Sequence, residues 1–235
     1  MKVTSRTHIG NVRASNQDSL INQGNKYTLF GVADGMGGHN GGDIASQMAV
    51  LMLGRVLEGA KPTEVLLRGA IEEVNLLIYN EQLKDEVLRG MGTTLTVLWE
   101  DDERLLLGHV GDSRCYRVRH GKIEQLSQDH SMVAQLVRDG IVTKEQAKTH
   151  PYRNVITRAV GTSETVDVDI TVLDKRRGDR FLICSDGLYE YITEEEMLAL
   201  LQYSPADHAA DVMLNKALEL GGKDNITLLI GEVEA

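Results

Sequence analysis

Thr93 to Glu100 and Arg104 to Val110 are apolar runs of strand length, parted only by Asp101-Asp102-Glu103. A parallel pairing needs a crossover of a dozen or more residues, so these runs can only fold back as an antiparallel hairpin. The same reasoning joins Arg114–Arg119 to Lys122–Leu126 across His120-Gly121. Tyr27–Ala33, Phe181–Ser185 and Asn225–Val233 are further strand-like runs. Between them, Ala45, Met48, Ala49, Met52, Leu53 and Val56 recur at helical spacing, as do Leu67, Ala70, Ile71, Val74 and Ile78. Thr193 before Glu194-Glu195-Glu196, and Ser204 before Pro205, mark two more helix starts. This order predicts an α+β domain of antiparallel sheets covered by paired helices, not a regular βαβ alternation. No linker, repeat or low-complexity tract divides the chain, so residues 1–235 read as a single domain. The polar stretch from Ser131 to Asn154, carrying Gly140, His150 and Pro151, reads either as a flap above the sheet or as an ordinary surface helix pair.

Composition narrows the function. With 25 basic and 35 acidic residues the formal charge is −10, and only 4% of the chain is aromatic. Such a chain repels a polyanion and offers few stacking platforms, so nucleic acid is disfavoured as a partner. The 42% hydrophobic content suffices for a core. No apolar run approaches the ~20 residues of a membrane span, and the first residues lack a signal-peptide pattern. Cys115 and Cys184, each inside an apolar run, make neither a disulfide framework nor a zinc site. A cytoplasmic location and a monomer are the expectations.

The aspartates fall at the ends of strands. Asp34-Gly35 follows Leu29–Ala33, Asp186-Gly187 follows Phe181–Ser185, Asp112 follows Leu105–Gly111, and Asp224 opens the last run. One Asp-Gly after a strand is ordinarily a turn, but if these rims coincide the carboxylates converge. Two unit charges 4 Å apart at an effective dielectric of 20 repel by about 4 kcal/mol, so such a cluster must bind cations or raise its pKa values. Oxygen-only ligands select Mg²⁺, Mn²⁺ or Ca²⁺ over Zn²⁺. The stretch from Asp167 lacks the glycine an EF-hand needs, Gly222-Lys223 lacks the following Ser or Thr of a P-loop, and Ser113 and Ser185 lack a flanking glycine of a nucleophile elbow. Neither cysteine has an arginine six residues on. A metal-assisted hydrolase with oxygen ligands remains.

At these residues the chain resembles the metal-dependent protein phosphatases of the PPM, or PP2C, family in its bacterial form. Arg13-Ala14-Ser15-Asn16-Gln17-Asp18, Val32-Ala33-Asp34-Gly35-Met36-Gly37-Gly38, Met91-Gly92-Thr93-Thr94, Gly111-Asp112-Ser113-Arg114, Asp129-His130, Ile156–Gly161, Ser185-Asp186-Gly187 and Asp224-Asn225 occur in the family's order, nearly end to end. The resemblance implies a sandwich of two antiparallel sheets flanked by helix pairs. It implies that Asp34, Asp186 and Asp224 hold one metal, and that Asp34, the Gly35 carbonyl and, through water, Asp18 hold the second. Asp112 with Asp186 would take a third, weaker ion, and Arg13 would grip the substrate phosphate. Mn²⁺ or Mg²⁺ would be the cofactor. Two such ions sharing a water lower its pKa, and that water attacks phosphoserine or phosphothreonine in line, with no covalent intermediate. Phosphorylated proteins, and a Ser/Thr kinase working in opposition, are the implied partners.

Met36 stands where eukaryotic relatives carry the histidine held to protonate the leaving alkoxide. His39, His150 in the flap segment and a metal-bound water are the alternatives. A non-catalytic phosphoprotein-binding relative and a metal nuclease are the competing readings; the first expects a missing acid, the second conflicts with the charge of −10.

Overall fold

The computed structural model of the chain describes residues 1–24, 26–37 and 41–234. Two antiparallel sheets lie face to face. One is ordered β1 (Lys2–His8), β11 (Ile226–Glu232), β10 (Arg180–Cys184), β7 (Arg114–Arg119), β8 (Lys122–Gln125). The other is ordered β2 (Asp18–Gly24), β3 (Thr28–Met36), β5 (Leu95–Glu100), β6 (Arg104–Val110), β9 (Asp169–Asp174), with the two-residue β4 (Gly92–Thr93) also on β3. Phe30, Val32, Leu98, Leu105 and Leu107 from the second sheet meet Cys115, Phe181, Ile183 and Leu229 from the first, forming the inner core. Outside the second sheet lie α1 (Gly42–Leu57) and α2 (Glu64–Gln82), packed through Ala45, Ala49, Leu53, Leu67, Ile71 and Val74. Outside the first lie α5 (Asp186–Tyr189), α6 (Glu194–Tyr203) and α7 (Ala206–Glu219), packed through Leu188, Met197, Leu201, Ala209 and Met213. The result is a four-layer α-β-β-α sandwich, and the expected fold class holds.

The hairpin of β5 and β6 has Leu98 opposite Leu107. All six residues of β5 are buried, as a central strand covered on both faces requires. Thr193 caps α6 in a capping box with Glu196.

Several boundaries differ from the sequence reading. β3 does not stop at Ala33 but runs through Asp34 and Gly35 to Met36. The run from Thr93 breaks at Thr94, whose amide turns to the Asp34 carbonyl. Ser204 closes α6, and Pro205 caps α7 in its place. The sequence reading lacks β1 and β2: β1 is an edge strand with only Thr4 fully buried, so it carries no apolar alternation. Between Ser131 and Asn154 stand two short helices, α3 (Met132–Arg138) and α4 (Lys144–Ala147), closed at the base by a Ser131–Ile156 bridge.

Candidate metal centre

The acids meet at one end of the sandwich. Asp18, first in β2, is the register partner of Asp34 in β3. The Ser185 hydroxyl, at the end of β10, donates to Asp18 Oδ2 at 2.8 Å and accepts from the Thr227 amide at 3.0 Å. That bond stitches one sheet to the other. Asp186 opens α5, Asp224 precedes β11, and Asp112 sits in the turn by which β6 of one sheet passes into β7 of the other.

The glycines after Asp34 and Asp186 serve close backbone approach rather than turns. A Cβ on Gly35 would stand 2.0 Å from the Gly42 carbonyl oxygen, and one on Gly187 2.0 Å from that of Asn225. Any side chain at either position would push its aspartate out of the cluster.

Arg13 reaches the same place from the loop after β1. Its guanidinium donates to Asp224 Oδ2 at 2.6 Å. Asn225 pins that loop, accepting from the Gln17 amide at 2.8 Å and donating to the carbonyls of Ile9 and Ser15 at 2.9 and 3.0 Å.

The carboxylates oppose one another's ionisation. Burial, then the charges of Asp18, Asp186, Asp112 and Asp224, hold the Asp34 carboxyl well above the usual range. Burial, then Asp112, Asp224, Glu190 and Asp18, do the same to Asp186. Burial lifts Asp18 to about 6 against the relief its hydrogen bonds give. It lifts Asp112 to about 7, with the Asp129 charge adding to it. Arg13 is held above its ordinary range chiefly by its hydrogen bond to Asp224, with Asp186 and Asp34 adding.

Two oxygens carry the test of metal binding. Asp18 Oδ1 and Asp186 Oδ1 are buried with no hydrogen-bond donor among the described residues. A buried carboxylate oxygen without a donor costs several kcal/mol in effective solvation, and a hard cation or its water satisfies it. Among the described residues, no three His, Cys, Asp or Glu side chains close on one point as a complete protein cage would. A Mg²⁺ ion that keeps several of its waters and takes one or two carboxylates does not need one. The donor set fits such ions.

Met36 ends β3 with its side chain over Gly92. Gly38, His39 and Asn40 lie outside the described residues. His150 faces Tyr152, whose amide it accepts at 3.2 Å. Burial pushes both cysteine thiols far above the reactive range.

Sequence reasoning missed Ser185, Asn225 and Tyr189 as supports of the site. Ser185 held a signal: it stands at a helix N-cap position, yet its hydroxyl caps nothing in α5 and turns to Asp18 instead. Burial, with Asp112 and Asp186 adding, keeps the Tyr189 phenol well above its ordinary range, so it is a neutral donor.

This combination of a four-layer sandwich and an acidic rim between its sheets defines a class of metal-dependent hydrolases. The family model described as "Protein phosphatase 2C" matches residues 6–219. The "Serine/threonine phosphatase stp" of Listeria innocua is 39% identical over 243 residues, spanning 99% of this chain and 96% of that protein. The solved Mycobacterium tuberculosis serine/threonine phosphatase PstP/Ppp superposes with a TM-score of 0.92 at 36% identity, covering 100% of this chain and 99% of that one. The catalytic domain of PstP in complex with two manganese ions gives 0.89 at 35% identity, covering 100% and 98%. The chain belongs to the protein phosphatase 2C family, a metal-dependent family, and is a serine/threonine phosphatase by class.

Proposed function

We propose that this chain hydrolyses phosphoserine and phosphothreonine in proteins, using Mn²⁺ or Mg²⁺ gathered by the acidic rim. The observation that carries this reading is the convergence of buried Asp18 with half-buried Asp34 and Asp186, where the Oδ1 atoms of Asp18 and Asp186 lack any donor among the described residues. In this reading, which follows the family resemblance, Asp34, Asp186 and Asp224 would draw together to hold one ion, while Asp34, the Gly35 carbonyl and, through water, Asp18 would hold the second. Asp112 and Asp186 hold a third, weaker one. When bound, the ions make water nucleophilic at neutral pH and neutralise charge on the phosphoryl oxygens.

The residues do the rest. Asp18, Asp34, Asp186 and Asp224 together offer four negative charges, which two divalent ions balance. Without that balance the rim repels a phosphate dianion. Arg13 donates to Asp224 here, and with Asp224 holding an ion instead its guanidinium fork would be free to donate in pairs to two oxygens of the substrate phosphate. Met36 has no proton to give the departing alkoxide, so that proton comes from water or from a residue off β3. The reading extends to one domain over residues 1–235 with the α3–α4 helix pair as its flap, a cytoplasmic monomer, and phosphoprotein partners that a Ser/Thr kinase produces.

The test is hydrolysis of p-nitrophenyl phosphate and of a phosphothreonine peptide with added Mn²⁺. Turnover should vanish in excess EDTA. It should fall at least about a hundredfold in Asp34→Asn with the circular dichroism unchanged, the order of loss seen when a catalytic electrostatic group is removed. Turnover that persists under chelation overturns the proposal.

A further inference from the structure

Asp112 and Asp186 come from different parts of the chain, and a weak ion shared between them depends on how firmly their separation is set. The turn bearing Asp112 is fixed on one flank by reciprocal bonds with His130: the Gly111 amide donates to His130 Nδ1 at 3.0 Å, and the His130 amide donates to the Gly111 carbonyl at 2.8 Å. Thr96 Oγ1 donates to the Ser113 carbonyl at 3.2 Å. None of these bonds reaches α5, where Asp186 stands.

Tyr189 makes that connection. It lies three residues after Asp186 on α5, so the two belong to the same helical turn. Its phenol donates to the Asp112 backbone carbonyl at 3.2 Å. Its ring is stacked 3.7 Å under the Arg114 guanidinium. Arg114 is itself locked by a fork onto Asp129, at 2.7 and 3.1 Å to the two oxygens. A side chain with two rotatable bonds, pinned on its face by a cation and at its tip by a hydrogen bond, is a rigid spacer.

We infer that Tyr189 is a positioning residue that sets the spacing between Asp112 and Asp186 for the weaker ion. The inference rests on the metal assignment proposed above. Tyr189 touches neither substrate nor reacting atoms; it acts through the Asp112 main chain. Phe at this position keeps the ring under Arg114 and deletes only the hydroxyl.

The experiment is a calorimetric Mn²⁺ titration of the full chain for the wild type, Tyr189→Phe and Asp112→Asn, with manganese electron paramagnetic resonance counting bound ions. The expected result is that Asp112→Asn loses the weakest ion. Tyr189→Phe should retain it with an affinity lowered roughly three- to tenfold, the range of one lost hydrogen bond, and should leave the tighter ions within about twofold. If Asp112→Asn loses that ion while Tyr189→Phe binds it as the wild type does, the positioning role is overturned and the metal assignment stands. If Tyr189→Phe weakens every ion equally, Tyr189 serves the fold and the inference also fails. If Asp112→Asn binds the full complement, the assignment of Asp112 fails first and takes the inference with it.

Discussion

Asp18→Asn should stabilise the metal-free protein at alkaline pH while impairing the loaded enzyme. The Asp18 carboxyl is 8% exposed, too little for solvent to screen it, and its pKa rises from 3.8 to about 6 on folding. The folded state therefore holds its proton more tightly than the unfolded chain does. Stability is greatest below about pH 4 and declines as pH rises through 6. At about 1.4 kcal/mol per pH unit, keeping Asp18 ionised at pH 8 costs the metal-free fold about 3 kcal/mol. Asparagine retains an acceptor for Ser185 and places an amide where Oδ1 has no donor, facing Asp34. Urea unfolding in EDTA, followed by the fluorescence of Trp99, the single and buried tryptophan, measures the difference. Asp18→Asn should exceed the wild type by 2–3 kcal/mol at pH 8, on the order of that ionisation cost, with the gap about halved near pH 5 and nearly closed by pH 4. Mn²⁺ at a thousand times its dissociation constant should reverse the order, since it then adds about 4.1 kcal/mol to the protein that binds it. A metal-free variant no more stable than the wild type at pH 8, or a gap unchanged at pH 4, would refute the account of Asp18 as a strained, uncompensated charge.

Two further outcomes follow from named contacts. Arg13→Ala removes the partner of Asp224 and the proposed phosphate fork, so KM for phosphate esters should rise at least about tenfold while kcat falls less; an unchanged KM removes Arg13 from substrate binding. Ser185→Ala deletes the donor that favours the ionised Asp18, so the metal-free stability curve should shift its decline to higher pH and lose about 1 kcal/mol at pH 8. A superimposable curve would show that the Ser185 bond does not govern Asp18.

The amino-acid sequence determined the elements whose order is local. Three acidic residues between β5 and β6 leave a hairpin as their only connection, and the helical spacing in α1 and α2 marks the faces that the second sheet covers. It also placed Asp34, Asp112, Asp186 and Asp224 beside strand ends, and the resemblance of the motifs added Arg13, Asp18 and Gly35. What only the tertiary structure decided is which of these groups meet. β1 and β2 are too polar for their pattern to declare them, yet the pairing of β2 with β3 sets Asp18 against Asp34. Asp-Gly reads as a turn along the chain; in the fold both glycines are required by a backbone oxygen 2.0 Å from where a Cβ would be. Ser185, Asn225 and Tyr189 gain their roles through partners 167, 208 and 77 residues away. Periodicity reports only the surroundings of a residue along its own strand or helix. The convergence of buried charge depends on strand register and on how two sheets stack, and both are settled only when the whole core closes.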